Sequence, residues 1–302
     1  MTDVLLKKPI IDGGINPGSH ATVCIDLYCK NSDGEDKRIG CGSGFFHVRN
    51  GMTFLITNWH VLTGRDPTNP QNTIDGYQGS PSGFSFHHSR KSNKNHFIPS
   101  PIFNLYSDGK PNWFEVDADK IYDIAAIKID IPTDSDVYIE PIEKFTDSIG
   151  DKNIYVGGDV VIVGYPFGIN ASNPFPVWKH AYIASEPSIL IDGVPKMFID
   201  SPGLPGMSGS PIYKISKGVS LPGETVDAIK NFTDFRKIDI GQIQNAPETS
   251  VLSFVGIYSG SLGNGSLEKM RLGFAWHAAL VDIMFTKPRN GTNPYPPIYG
   301  IE

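Results

Sequence analysis

The apolar residues of this chain fall in short runs, each closed by Gly, Pro, Asn, Asp or Ser. That spacing constrains the fold more than any other feature. Runs so short favour strands over long helices, and 32 glycines and 24 prolines are enough to turn the chain after almost every one. The pattern predicts an all-β architecture of many short strands joined by turns. By β-branched and aromatic content the strands are Ala21–Tyr28, Gly44–Val48, Thr53–Thr57, Ile124–Ile129, Val160–Gly164, Val177–Ala184, Ser188–Ile191, Met197–Asp200, Pro211–Lys214, Val251–Tyr258 and Arg271–Trp276. Asp192-Gly193, between two apolar runs, is a hairpin signal. Two helices are expected, a single turn at Trp59–Leu62 and a stretch from about His277 to Phe285.

Two regions break the rhythm. From Thr63 to Pro111 the chain is rich in Asn, Ser, Pro, Gly and His and reads as a long surface insertion. His87, His88 and His96 lie in it and are expected in a solvated basic loop rather than at a metal. A shorter excursion runs from Ser216 to about Thr249, and an extended tail follows Phe285. Cys24, Cys29 and Cys41 are an odd set crowded near the N-terminus, a poor disulfide framework, and are expected as three reduced, buried thiols. A zinc site would need a fourth ligand, for which His47 is the nearby candidate.

Charge and hydropathy exclude several functions. The net charge is −6 and no Lys/Arg run is interleaved with aromatics, so nucleic acid is not an expected partner. Gly273–Phe285 is too short to span a membrane and carries His277 and Asp282. The first residues, Met-Thr-Asp-Val-Leu-Leu-Lys-Lys, lack the apolar stretch of a secretory signal. Together with the unpaired cysteines this predicts a soluble protein of the reducing cytoplasm, with no membrane partner.

The stretch most informative about chemistry is Gly206-Met207-Ser208-Gly209-Ser210-Pro211, directly before an apolar strand. A serine hydroxyl is a weak nucleophile unless a base takes its proton and donors receive the developing oxyanion. Small residues around Ser208 let the backbone turn sharply and let the N–H groups of Gly206 and Ser208 converge on one point. Without partners the motif is equally a glycine-serine turn. Partners are present. Asn58-Trp59-His60-Val61 follows a predicted strand, which holds His60 on a rigid turn. Tyr122-Asp123-Ile124 puts a carboxylate at the head of another strand, where it can accept a hydrogen bond from imidazole Nδ1–H. Singly, His60 reads as a packed histidine and Asp123 as a strand cap.

Thr57-Asn58-Trp59-His60-Val61, Asp123-Ile124-Ala125-Ala126-Ile127 and Gly206-Met207-Ser208-Gly209-Ser210-Pro211 resemble the three signature blocks of the chymotrypsin-like (trypsin-like) serine proteases, in that family's order of His, Asp, Ser. The resemblance runs from about Ala21 to Phe285. Within the family the chain is most similar to bacterial high-temperature-requirement-type proteases, through Asp200-Ser201-Pro202-Gly203-Leu204-Pro205-Gly206 and Leu272-Gly273-Phe274-Ala275. There is no room after Phe285 for the PDZ modules that usually follow.

The resemblance implies two six-stranded antiparallel β-barrels, 1–141 with His60 and Asp123 and 142–285 with Ser208, followed by the tail 286–302. It implies a serine endopeptidase acting on polypeptides without metal or organic cofactor. Ser208 would attack, His60 would act as base, Asp123 would orient His60, and Gly206 with Ser208 would form the oxyanion hole. It places the primary specificity pocket between Ser201–Gly206, Gly256–Ser261 and Arg271–Trp276. Pro202 stands where trypsin-type enzymes carry an acidic residue, and Tyr258 where glutamyl endopeptidases carry a histidine. Ser259 and Gly260 would pair with an extended substrate, and Arg271 would flank the pocket. Met207 replaces the aspartate that pairs with a newly cut N-terminus in pancreatic enzymes. With that activation route gone, restraint by the 63–111 insertion or by a regulatory protein partner is expected. Two other readings remain: a catalytically silent binding module on the same fold, and an α/β-hydrolase-type esterase using Ser208, Asp227 or Asp239, and His277.

Overall fold

The computed structural model describes residues 14–74, 79–132, 134–149, 154–168, 175–219, 241, 245, 248–260 and 271–297. Its strands fall into two large sheets and one small hairpin. In the first half they are β1 (Thr22–Lys30), β2 (Asp36–Arg49), β3 (Met52–Thr57), β4 (Gly83–Arg90), β5 (Phe97–Pro99), β6 (Phe103–Asn104), β7 (Tyr106–Ser107), β8 (Lys110–Pro111), β9 (Phe114–Val116), β10 (Ala125–Lys128) and β11 (Val137–Tyr138). In the second half they are β12 (Thr146–Ile149), β13 (Asp159–Gly164), β14 (Val177–Ile183), β15 (Lys196–Asp200), β16 (Pro211–Val219), β17 (Glu248–Gly260), β18 (Leu272–His277) and β19 (Pro288–Asn290). The helices are short: α1 (Pro17–Ala21), α2 (Trp59–Thr63) and α3 (Ala279–Thr286).

The second-half sheet closes. Its order is β12-β17-β16-β13-β14-β15-β18, and β18 also pairs with β17, so six antiparallel strands form a ring with β12 added in parallel. Full closure removes exposed edges, which is how an antiparallel sheet avoids pairing with a stranger. The first-half sheet differs from the expected six-stranded barrel. It has ten strands, and its order β11-β4-β1-β2-β3-β10-β9-β19 runs as a path whose two ends do not pair with each other among the described residues.

Part of the region expected as a surface insertion is built into that sheet, through β4, β5 and β6, while β7 and β8 form a separate hairpin. β4 pairs with β1 from Ile25↔Phe86 to Tyr28↔Gly83, and buries Phe84 and Phe86 completely. Nor is Phe-His-His a solvated loop. His87 bonds Asp26 at 2.9 Å, and His88 is buried with its Nδ1 2.8 Å from the Ser89 carbonyl. The sequence misled here because polar residues of β4 find partners on β1 and β5, so composition alone did not mark the strand. Ser188–Ile191 is also not a strand. Only Ile191 and Val194 pair, around Asp192 (φ 54°) and Gly193 (φ 74°), the two left-handed residues that a two-residue hairpin turn requires. Cys24 is buried and its thiol pKa is pushed up by burial, whereas Cys29 and Cys41 are only partly buried; all three are free. His47 faces Glu143 and stacks on Phe285. Most of the excursion between β16 and β17 lies outside the described residues, as do Asp227 and Asp239.

The core has three parts. One fills the first sheet around Ile25, Leu55 and Phe84, and one fills the closed barrel around Ile162, Ile199 and Ile212. The third joins the two sheets under α3, where Phe45 of β2 meets Phe254 of β17 at 5.1 Å between ring centroids. This shared layer fixes one sheet against the other and sets the place where their loops meet. The described part of the tail packs against the first sheet. β19 pairs with β9, bringing Arg289 opposite Glu115.

Candidate active site

His60 sits in α2, one turn of helix directly after β3. Its backbone N–H donates to Asp123 Oδ1 at 2.9 Å, and its ring Nδ1 lies 2.7 Å from Asp123 Oδ2. Both residues are buried, at 3% and 0% exposure. Asp123 lies just before β10, which pairs with β3 from Ala125↔Thr57 onward, so the strand register itself sets the carboxylate beside α2. A buried carboxylate must have its oxygens satisfied. Here one oxygen takes the His60 N–H, and the other takes the ring and the hydroxyl of Ser259. The carboxylate can then hold the imidazole in one tautomer, with Nε2 left to exchange a proton.

Ser208 lies on the turn before β16, partly buried, and is tied to the first sheet through Ser43 of β2. The Ser43 N–H donates to the Ser208 carbonyl at 2.8 Å, and its hydroxyl donates to the Gly206 carbonyl at 2.7 Å. The same hydroxyl accepts the Tyr165 N–H at 2.9 Å, and the Ser43 carbonyl accepts the Thr57 hydroxyl at 2.7 Å. One serine thus couples the serine loop to the end of β3, two residues before the helix that carries His60. On the other side, a Cβ placed on Gly260 would stand 3.7 Å from Ser208 Oγ. Gly260 therefore borders the hydroxyl, while the preceding residue, Ser259, reaches Asp123. Among the described residues no hydrogen bond joins Ser208 Oγ to His60, whose ring bonds Asp123.

The backbone of the serine loop has a fixed orientation. Phe167 N–H donates to the Pro205 carbonyl at 2.6 Å. Among the described residues no peptide bond is cis, so the Gly206 N–H points the opposite way from that carbonyl. Among the described residues neither the Gly206 nor the Ser208 N–H is spent on another acceptor. Gly206 has φ +88°, and a Cβ there would lie 2.4 Å from the Tyr165 carbonyl, so only glycine fits.

The other expected substrate-side residues are placed less simply. Tyr258 is buried and its side chain crosses between two of the expected pocket walls, donating to the Ser201 carbonyl at 3.2 Å and packing on Gly273. Burial pushes its hydroxyl pKa up. Pro202 presents its carbonyl to Lys179 Nζ at 2.8 Å. Burial and the charge of Arg271 hold the Lys179 pKa down, and Arg271 itself is exposed with φ 59°. His277 is only half-buried and its Nδ1 takes the Ala279 N–H at 3.2 Å. Sequence reasoning missed the Ser259 hydroxyl and the Ser43 clamp. Ser43 stands between two glycines, a hint of close backbone approach; nothing in the spacing points Ser259 at Asp123.

A model of the trypsin-like peptidase domain matches residues 42–220, more than half of the chain. The chain belongs to the trypsin-like peptidase family. The match takes in His60, Asp123 and Ser208, while β17 with Ser259, α3 and β19 lie beyond it. No curated protein matches the chain. The peptidase family and the antiparallel sheets favour neither an α/β-hydrolase nor its strand–helix alternation. Among the described residues no helix is long and apolar enough to cross a membrane.

Proposed function

We propose that the protein is a serine endopeptidase in which Ser208 attacks a peptide carbonyl while His60 accepts its proton. The observation that carries this reading is the buried His60–Asp123 pair, at 2.7 Å, in a family whose chemistry needs that pair beside a serine loop. Asp123 stabilises the imidazolium as it forms. The developing oxyanion is received by the N–H groups of Gly206 and Ser208, which the Phe167 and Ser43 contacts support in a ready arrangement. His60 then protonates the leaving amine, and water resolves the acyl-enzyme by the same steps in reverse. The substrate is a polypeptide in extended form, lying along Ser259 and Gly260. The two halves, 1–141 and 142–285, would form the walls of its cleft.

The likeness to high-temperature-requirement-type proteases belongs to the same proposal and rests on the residues from Asp200 to Gly206. So do a cytoplasmic setting and control by a protein partner, which rest on the free thiols and on Met207 replacing the acidic residue of the pancreatic enzymes. Incubation with unfolded casein tests the activity. Without its partner the wild type is expected to yield peptides at a restrained rate, and Ser208→Ala to lower that rate by about 10⁴-fold or more, as loss of a triad nucleophile does. Equal cleavage by both proteins sinks the proposal.

A further inference from the structure

Helix α2 is five residues long, far too short to hold its own geometry in water, so the orientation of His60 must come from what surrounds the helix. Besides the ring's own contact with Asp123 Oδ2, two restraints come from the Asp123 segment: the His60 N–H on Asp123 Oδ1, and the Asn58 side-chain amide on the Asp123 carbonyl at 2.6 Å. A third comes from the far end of the chain. The indole N–H of Trp59, a fully buried residue next to His60, donates to the Thr292 carbonyl at 2.9 Å.

Thr292 is itself fixed. Its N–H donates to Glu115 Oε1 at 2.6 Å and its hydroxyl to Glu115 Oε2 at 3.0 Å. Glu115 is 2% exposed and is completed by Trp113 Nε1 at 2.8 Å and Arg289 Nη2 at 2.9 Å. A buried carboxylate with this many donors is rigid, because moving any one of them leaves charge unpaired. Gly291 lies flat on the Trp113 ring, where a Cβ would come within 2.5 Å of Nε1. Asn293 adds a bond to the Tyr106 hydroxyl at 2.8 Å. The segment Pro288–Asn293 therefore forms a strap across the first sheet, laid by the pairing of β19 with β9 and ending on the helix that carries the histidine. It lies outside the stretch matched by the peptidase family.

We infer that this C-terminal strap is a positioning element for His60, acting through the Trp59–Thr292 hydrogen bond; the inference rests on the proposal that His60 is the catalytic base. Trp59 and Thr292 are positioning residues, since neither touches the reacting atoms. Freed from the strap, α2 keeps its Asp123 contacts but can rotate about them. Nε2 then spends less time within reach of the Ser208 proton.

Two variants of the full chain test this. Trp59→Phe keeps an aromatic side chain, smaller than the indole, and removes the donor. Gly291→Ala wedges the strap away from Trp113 without altering α2. Each is expected to lower kcat by about tenfold, the scale of a small misplacement of a catalytic group, with KM within twofold of wild type. Folding is followed by circular dichroism at the assay temperature. Wild-type kcat in both folded variants overturns the inference, and so does a loss of rate that merely tracks a loss of folded protein. A rise in KM at constant kcat also overturns it, since that would mark a substrate contact. If the wild type forms no covalent adduct at Ser208, the catalytic reading is at fault instead, and the two failures are told apart.

Discussion

At the scale of single residues, the site depends on a few side chains and on the absence of others. Ser43 makes four hydrogen bonds, two to the serine loop, one to Thr57 of β3 and one to Tyr165, and Gly209 lets the loop approach it. Gly209 has φ +86°, and a Cβ there would sit 2.0 Å from the Ser43 carbonyl oxygen. Backbone strain and steric overlap together put the cost of Gly209→Ala at about 2–5 kcal/mol. Thermal unfolding of Gly209→Ala is expected several degrees below wild type, with peptidase activity lost; an unchanged midpoint and rate would contradict the description of the loop. The glycines and the serine of this motif were legible in the sequence because chemistry needs them at fixed spacing. Ser259 was assigned only a backbone role. Its hydroxyl bonds Asp123, residues 136 positions away, and no local pattern records such a contact.

Elements were legible where pattern and burial agree. Trp59–Leu62 was expected as one turn and α2 spans Trp59–Thr63; the expected C-terminal helix appears as Ala279–Thr286. Strands that are apolar and buried along most of their length, such as β10 and β13, were found close to their bounds. β4 was hidden because His87, His88 and Ser89 look like loop residues until their partners are known: Asp26 of β1 for His87, the Ser89 carbonyl for His88 and His20 of α1 for Ser89. β19 was hidden for a different reason. Pro-Arg-Asn has little strand propensity, and what holds it is the Arg289–Glu115 pair and the ladder to β9, both set by a residue far earlier in the chain.

For the molecule as a whole, closure of a sheet is the least legible property, since it depends on whether distant edge strands meet. The second-half ring closes through β17 and β18, while eight strands of the other sheet run as a path from β11 to β19, with β5 and β6 branching from β4. Three histidines withdrawn wholly or partly from water give the fold a common response to acid. Burial, reinforced by the charge of Lys94, lowers the pKa of His20; burial likewise lowers those of His88 and His277. Below the ordinary value of 6.5 the unfolded chain takes up protons that the folded chain refuses. Their contribution is therefore complete above that pH and is lost as pH falls through it toward the folded values. The unfolding midpoint is expected to drop between about pH 6.5 and pH 5, and His88→Asn, which cannot titrate, to flatten the slope. A midpoint constant over that range would contradict these placements.

The account as a whole turns on whether Ser208 is made nucleophilic by His60. Labelling with a fluorophosphonate probe, followed by peptide mass mapping, reads this directly. One adduct on the peptide containing Ser208 is predicted for the wild type and for His277→Ala, with little or none in Ser208→Ala and in His60→Ala. Labelling that survives Ser208→Ala, or that needs His277 rather than His60, would contradict it.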